Sequence, residues 1–402
     1  MTRSEKPFSI TKRAARRIWL RAQRLDGRAP FGEGPAATAA AVEHLGYVQI
    51  DTINVIERCH HHILWNRIPA YSRTDLRQAQ SVDKSVFEYW THALAYVPAR
   101  DLRFFLPAMK RHRREGHKWL ASVKPADLRK VMRLIRRDGA LSIRDIEDDV
   151  LVDKHHPWAS RKPSKAALQL AFYGGLLTIS ERNGMLKTYE LMERHFGWSK
   201  PPKPASPREI TEYLLGRALR AQGVVSLGSI CHLDAPNKPA VHRLVTDRVR
   251  RGELVPVAIE GGGKEEYWAL PETLEGDSRP AAEFVHILSP FDPLIIQRKR
   301  THLFFDYEHR FEAYVPKEKR RFGYFALPVL VGEDIVAALD LKTDRKRGKL
   351  LLQKWNWVGA GAAKGARRGL RKRIEQELHR FERFQLAGTD APPGPPPGQA
   401  RK

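Results

Sequence analysis

Cysteine is almost absent: Cys59 and Cys231 are the two in 402 residues. They stand far apart, so neither a disulfide framework nor a four-cysteine zinc site can form, and reducing conditions are expected. Long apolar runs are missing too. Without about 18 consecutive apolar residues there is no membrane-spanning helix, and the opening MTRSEKPFSITKRAARRIW lacks the apolar core of a secretory signal. A cytoplasmic protein with no membrane partner is expected. Acidic residues are few beside the basic ones, 46 Asp and Glu against 71 Lys and Arg, a formal charge of +25. That imbalance points to a polyanionic partner bound in a strongly salt-dependent way; a ribosome-associated or merely basic protein is the plainer alternative.

What is present suffices to fold. Apolar residues make up 42% of the chain, enough to bury cores, and the length predicts roughly two to four domains. Residues 9 to 26 have helical periodicity, with Ser9 as candidate N-cap, Gly27 past the end, and Ile10, Ala14, Ile18, Ala22 and Leu25 as the apolar stripe. Lys12, Arg13, Arg16, Arg17, Arg21 and Arg24 make the other face basic, either for phosphate contact or as a solvated surface. A helix from Thr38 to Leu45 closes at Gly46. YVQIDTI then alternates as an extended segment, and a helical stretch is predicted from near Thr52.

An internal repeat follows. In its first copy a helix over 126–138 runs into DGALSIRDI, where Gly139 ends the helix and Ser142 caps a short one. A helix over 164–173 then leads to two alternating runs around Asn183-Gly184, a hairpin signal. The second copy has a helix over 207–221, the line QGVVSLGSI, a helix over 238–251 and a hairpin turning at Gly261–Gly263. Gly223 answers Gly139, Ser226 answers Ser142, Ile230 answers Ile146 and Tyr267 answers Tyr189. This is a winged-helix pattern, mostly used to read nucleic acid and sometimes to bind protein. Arg182 and Lys187 on the first wing suit phosphate contact, whereas the second wing carries Glu260, Glu265 and Glu266. The three glycines are a turn and not a phosphate loop, for no Lys-Ser/Thr follows them. From Phe284 onward, short β runs predict a small antiparallel barrel or curled sheet, then an amphipathic helix over 365–384 and a Pro/Gly-rich disordered ending.

In the extended segment Gln49 and Asp51 face one way and Ile50 the other. A carboxylate that accepts a proton from water, beside an amide that orients it, is what general-base hydrolysis requires. From spacing alone the plainer reading stands beside it: Asp51 or Thr52 caps the next helix and Gln49 satisfies a backbone group.

Four runs carry a resemblance: LGYVQIDTINVIER (45–58), VFEYWTHALAYVP (86–98), LSPFDPLIIQRKR (288–300) and RFGYFALPVLVGEDIVAALDLKTDR (321–345). In this order, over about residues 9 to 380, they closely resemble the YcaQ-like family of winged-helix DNA glycosylases. The resemblance implies removal of N7-alkylated purines and unhooking of interstrand crosslinks, with Gln49-Ile50-Asp51 as the active-site signature in its broader-tolerance Asp form. It also implies an α+β fold of three tandem winged-helix (helix-turn-helix) units plus a C-terminal antiparallel β-barrel-like domain. The units expected are 1–120, a divergent first unit holding the active-site segment, 121–204 and 205–275. The barrel-like domain with its terminal helix spans 276–386, and 387–402 is the disordered tail.

N7 alkylation already makes the base cationic, so one base and one water suffice, and Asp51 can also support the oxocarbenium-like sugar. No Lys stands in the neighbouring sequence for a Schiff base, which favours a monofunctional enzyme. An open cleft is expected, because a crosslinked base cannot swing fully into a tight pocket. The partner is double-stranded DNA with alkylated or crosslinked purines, bound by a monomer that needs no cofactor. Arg298, Lys299 and Arg300 are the expected phosphate clamp. Tyr89, Trp90 and His92 either contact DNA beside the lesion or pack in a core. The runs His60-His61-His62 and His155-His156 cannot converge on one ion, so no metal is expected. Asp340, Lys342, Asp344 and Arg345 read as a possible ion-pair ladder along a strand. A winged-helix transcription regulator without chemistry is the competing function; the Gln49-Asp51 pair argues against it.

Overall fold

The computed structural model describes residues 6–116, 120–148, 151, 161–276, 282–363, 365 and 367–387. His155, His156 and the tail beyond 387 lie outside them. Phe8–Ile10 is a strand (β1), and Thr11 rather than Ser9 caps the first helix, α1 (Lys12–Ala22), its hydroxyl accepting from Ala14 N at 3.1 Å. Ser9 is occupied by parallel pairing of β1 with Val255–Ile259. The fully buried residues of α1 are Ala15, Trp19 and Leu20, one position round from the expected stripe. Its cations are committed within the protein: Arg13 and Arg17 pair with Glu333 at 2.8 and 2.6 Å, Lys12 with Asp306 at 2.8 Å, and Arg16 with Asp334.

Helix α2 (Gly34–Leu45) ends at Gly46, whose φ of 78° suits the left-handed cap. Strand β2 (Val48–Gln49), helices α3 (Cys59–Trp65) and α4 (Arg73–Ser81), and the hairpin β3 (Val86–Trp90) and β4 (Leu94–Pro98) follow, with sheet order β2-β4-β3. The helix expected from Thr52 begins only at Cys59. Residues 51–58 form a loop instead, clamped by groups from nearly 300 residues on. Thr343 N donates to Val55 O at 2.9 Å, and Arg345 donates to Asn54 O, Asn54 Oδ1 and Ile56 O.

After α5 (Leu102–Glu115) the same order of elements recurs. It is α6 (Pro125–Asp138), β5 (Leu141–Ser142), a 3-10 turn at Ile143–Asp145, α7 (Pro163–Tyr173), β6 (Leu177–Asn183) and β7 (Leu186–Leu191), in sheet order β5-β7-β6. Beyond α8 (Met192–Phe196) it recurs again as α9 (Pro207–Gln222), β8 (Val225–Ser226), α10 (Leu227–Ile230), α11 (Lys238–Arg250), β9 (Val255–Ile259) and β10 (Tyr267–Ala269), in order β1-β9-β10-β8. Ser142 and Ser226 both close capping boxes, with Asp145 and Ser229. Tyr189 lies opposite Leu141 but Trp268 lies opposite Val225, so Tyr267 is one residue out of register with Tyr189.

The last region holds α12 (Pro271–Glu275), β11 (Val285–Ile287), α13 (Arg298–Phe305), β12 (Ala326–Val331), β13 (Asp334–Asp344), β14 (Lys349–Trp357) and α14 (Arg367–Leu386). The expected barrel is not formed: the sheet is open, in order β11-β12-β13-β14. Both faces are already covered, so closure would gain nothing. Leu327, Val329 and Leu339 share a core with Val48, Ile50 and Ile63 and with Phe381 of α14, while Leu330, Ile335 and Ala338 pack with Trp19 and Phe304.

Two resemblance motifs owe their residues to structure. In LSPFDP, Asp292 is fully buried against Arg67 at 2.8 and 3.0 Å, and Arg67 also donates to Gln23 O, Gln23 Oε1 and Ile63 O, which joins α1, α3 and the turn after β11. Asp340 belongs to no ion-pair ladder. Its carboxylate accepts from Tyr324 N and Phe325 N at 2.9 Å, and a Cβ on Gly323 (φ 139°) would lie 2.2 Å from its Oδ2. No helix among the described residues is long and apolar enough to cross a membrane.

Candidate active site

Strand β2 ends at Gln49, which pairs with Ala95 of β4 and is 6% exposed. Its carbonyl accepts from the Cys59 thiol at 3.0 Å. Ile50 N donates to Leu94 O at 2.8 Å, and its side chain enters the core shared with the last sheet. Asp51 opens the loop. Its Oδ1 accepts from Ile53 N at 2.8 Å, an Asx turn and not a helix cap, because no helix follows there. Oδ2 makes no hydrogen bond among the described residues. Burial pushes the Cys59 thiol well up and Asp51 adds to the effect, so the buried sulfur stays protonated.

His92 completes the group. It stands at the β3–β4 tip, where Thr91 N donates to Ala93 O at 2.8 Å, and its Nε2 lies 3.1 Å from Gln49 Oε1. Tyr47 and His232 meet its ring edge-on at 5.0 and 5.3 Å. Burial, with His232 and Arg217 acting in the same direction, pushes the imidazole down to about 4, so it is neutral near pH 7. A neutral ring tied to an amide offers no charge to a phosphate; His92 belongs with Gln49.

Beside His92 lies a cavity of about 170 Å³ between the β3–β4 tip, α9 and the turn after α10, lined among others by Tyr47, Phe104, Tyr213, Arg217 and His232. The Arg217 guanidinium lies 5.6 Å from the Tyr47 ring and 5.5 Å from that of Tyr213. None of these was singled out from sequence. They come from three separate stretches of the chain, around residues 47, 104 and 213–232, and no local pattern marks them. Neither Gln49 nor Asp51 lines the cavity; His92 does, and it is the link from the cavity to Gln49.

The expected phosphate contacts divide. Arg298 and Lys299 are exposed at the start of α13, but Arg300 is 7% exposed. Its guanidinium lies 4.4 Å from the Trp19 ring and 4.8 Å from that of Phe304 and donates to Val224 O at 2.5 Å, and burial lowers its pKa to about 9. Arg182 is likewise turned inward, held by buried Glu88 at 2.5 and 2.7 Å. That pair ties the second hairpin to β3. Lys187 lies 5.5 Å from the Phe172 ring and is lowered to about 8, chiefly by burial. Tyr89 is core, donating to Tyr173 O at 2.8 Å, while Trp90 is 43% exposed. Arg129, Arg133 and Arg136, passed over in the sequence, form an exposed stripe on α6 with no ion pair among the described residues; their i, i+4, i+7 spacing was a legible signal. His61 turns to the Tyr71 hydroxyl at 2.6 Å and His62 to Ile287 O at 2.7 Å, in separate directions.

The family model for DNA glycosylase AlkZ-like proteins matches residues 42–384, which include Gln49, Asp51 and His92. Among solved structures, the chain is similar to the DNA glycosylase AlkZ of Streptomyces sahachiroi, with a TM-score of 0.58 and 17% identity over 94% of this chain and 97% of that one. At that identity the likeness is one of fold.

Proposed function

The chain belongs to the AlkZ-like DNA glycosylase family, and from that premise we propose that it hydrolyses the N-glycosidic bond of N7-alkylated purines in duplex DNA, including those in interstrand crosslinks. The observation that carries this reading is that two groups at the end of β2, two residues apart in sequence, are left unbonded among the described residues: Asp51 Oδ2 and the Gln49 amide nitrogen. A water between them donates a proton to Asp51 while its oxygen attacks C1′. The C1′–N9 pair leaves with the base and neutralises its positive charge, so no general acid is required and the product is an abasic site with an intact strand. The clamped loop supports preorganisation of the carboxylate. Neither metal nor cofactor enters this step. The three recurrences of helix, short strand, helices and hairpin are read as winged helices within 1–120, 121–204 and 205–275, ahead of the open-sheet region 276–386, in a monomer with Arg298 and Lys299 as phosphate contacts.

The test is a panel of duplexes differing only in the lesion, incubated with excess enzyme and then cleaved with alkali. 7-Methylguanine and an N7-linked mustard crosslink should be released, and uracil and 8-oxoguanine should not. Binding without release of any base would identify a regulator. Comparable release of uracil and 7-methylguanine would require a general acid and overturn the mechanism.

A further inference from the structure

We propose that His92 is a positioning residue for this hydrolysis: its Nε2–H holds Gln49 Oε1, so that the amide NH₂ and not the carbonyl faces the attacking water. The inference rests on the reading of Gln49 and Asp51 as the water-holding pair. A glutamine amide is two-faced, and its ends exchange by a rotation that leaves its shape nearly unchanged. Held as it is, the amide donates to a lone pair of the water and leaves Asp51 as the sole acceptor of the water's proton. Flipped, it would accept a proton itself and divide the water between two acceptors.

With the amide as it stands in the structure, the direction follows. The carbonyl oxygen of Gln49 lies 3.1 Å from Nε2, and two such atoms tolerate that distance only with a proton between them. On the other side of the ring, Thr91 Oγ1 is 3.5 Å from Nδ1, too long to impose the opposite tautomer. The edge-on rings of Tyr47 and His232 leave the imidazole little room to turn. Because burial keeps the ring neutral, the proton on Nε2 is a matter of tautomer and not of charge. β4 pairs with both β3 and β2, so the sheet that carries Gln49 also folds the hairpin tip over it.

Four variants test this by single-turnover release of 7-methylguanine: His92→Phe, His92→Gln, Gln49→Ala and the Gln49→Ala/His92→Phe double. His92→Phe keeps an aromatic ring among Tyr47 and His232 but loses the donor. Its excision rate at saturating enzyme should fall roughly tenfold or more, within the roughly 100-fold that a misplaced group can cost, with half-saturating enzyme concentration unchanged. His92→Gln, which restores an N–H at similar reach, should recover most of the rate. In the Gln49→Ala background His92→Phe should cost nothing further. A full-rate His92→Phe, a loss that Gln does not rescue, or an equal loss without Gln49 would each overturn the proposal. If Gln49→Ala itself proceeds at the wild-type rate, the water-holding reading of Gln49 fails and this one with it; a slow Gln49→Ala beside a fast His92→Phe refutes this one alone. Should the substitutions unfold the chain, ¹⁵N spectra of the wild-type histidines decide, because a proton on Nδ1 instead of Nε2 of His92 also overturns it.

Discussion

Replacing Asp51 with Asn exchanges one oxygen for an NH₂ group and changes almost nothing else. The Asn side chain keeps an acceptor for Ile53 N, the 2.8 Å bond that shapes the turn. The loop around it is held independently by Thr343 and Arg345. Stability should therefore stay within about 0.5 kcal/mol of wild type, as for ordinary substitutions away from a core. What is lost is the proton acceptor. General-base catalysis contributes about 100- to 10,000-fold, or roughly 3–5 kcal/mol of barrier, and removal of the negative charge withdraws support from the oxocarbenium-like sugar as well. The assay is single-turnover excision from a duplex with one 7-methylguanine, with affinity for the same duplex measured by fluorescence anisotropy. The variant should bind within a few-fold of wild type and excise at least 100-fold more slowly. Excision above a tenth of the wild-type rate, with intact binding, would refute Asp51 as the base. Asp51→Ala provides the contrast, since it also loses the turn and about 1 kcal/mol with it.

Arg298 and Lys299 are exposed, whereas Arg300 is buried between Trp19 and Phe304. Replacing the first two with Ala should make the slope of log affinity against log salt shallower by about 2, measured on undamaged duplex between roughly 50 and 200 mM salt. Arg300→Ala should lower the melting temperature and leave the slope alone; the reverse pattern would mean that α13 meets DNA through the wrong residues. His62 and His286 are buried and pushed down to about 4, chiefly by burial. The unfolded chain binds these protons near pH 6.5, so their contribution is complete above that pH and is lost as the pH falls toward 4. At pH 5.5 the cost is about 1–2 kcal/mol for each. Urea unfolding at pH 7.5 and 5.5 measures it, and equal stabilities would show that these rings take up protons in the folded protein as readily as in the unfolded chain.

Short-range features were legible in the sequence because neighbours within a few residues decide them. The helix stop at Gly46, the capping serines Ser142 and Ser226, and the repeated helix, short strand and hairpin all follow from local conformational preference and apolar periodicity. The short extended run into Gln49 was legible for the same reason, although the strand ends there and Asp51 already belongs to the loop. The fate of charged side chains was not. Arg13, Arg16, Arg17, Arg182 and Arg300 look alike on paper to Arg298 or Arg133, yet the first five are bound to partners tens to hundreds of residues away. Tertiary structure also turned residues 51–58 from an expected helix into a clamped loop, left the last sheet open because both faces were covered, and brought His92 to Gln49. Each depends on groups brought together only once separate elements have packed, when burial makes an unpaired charge or amide costly and so selects its partner. A one-dimensional pattern carries no trace of that selection.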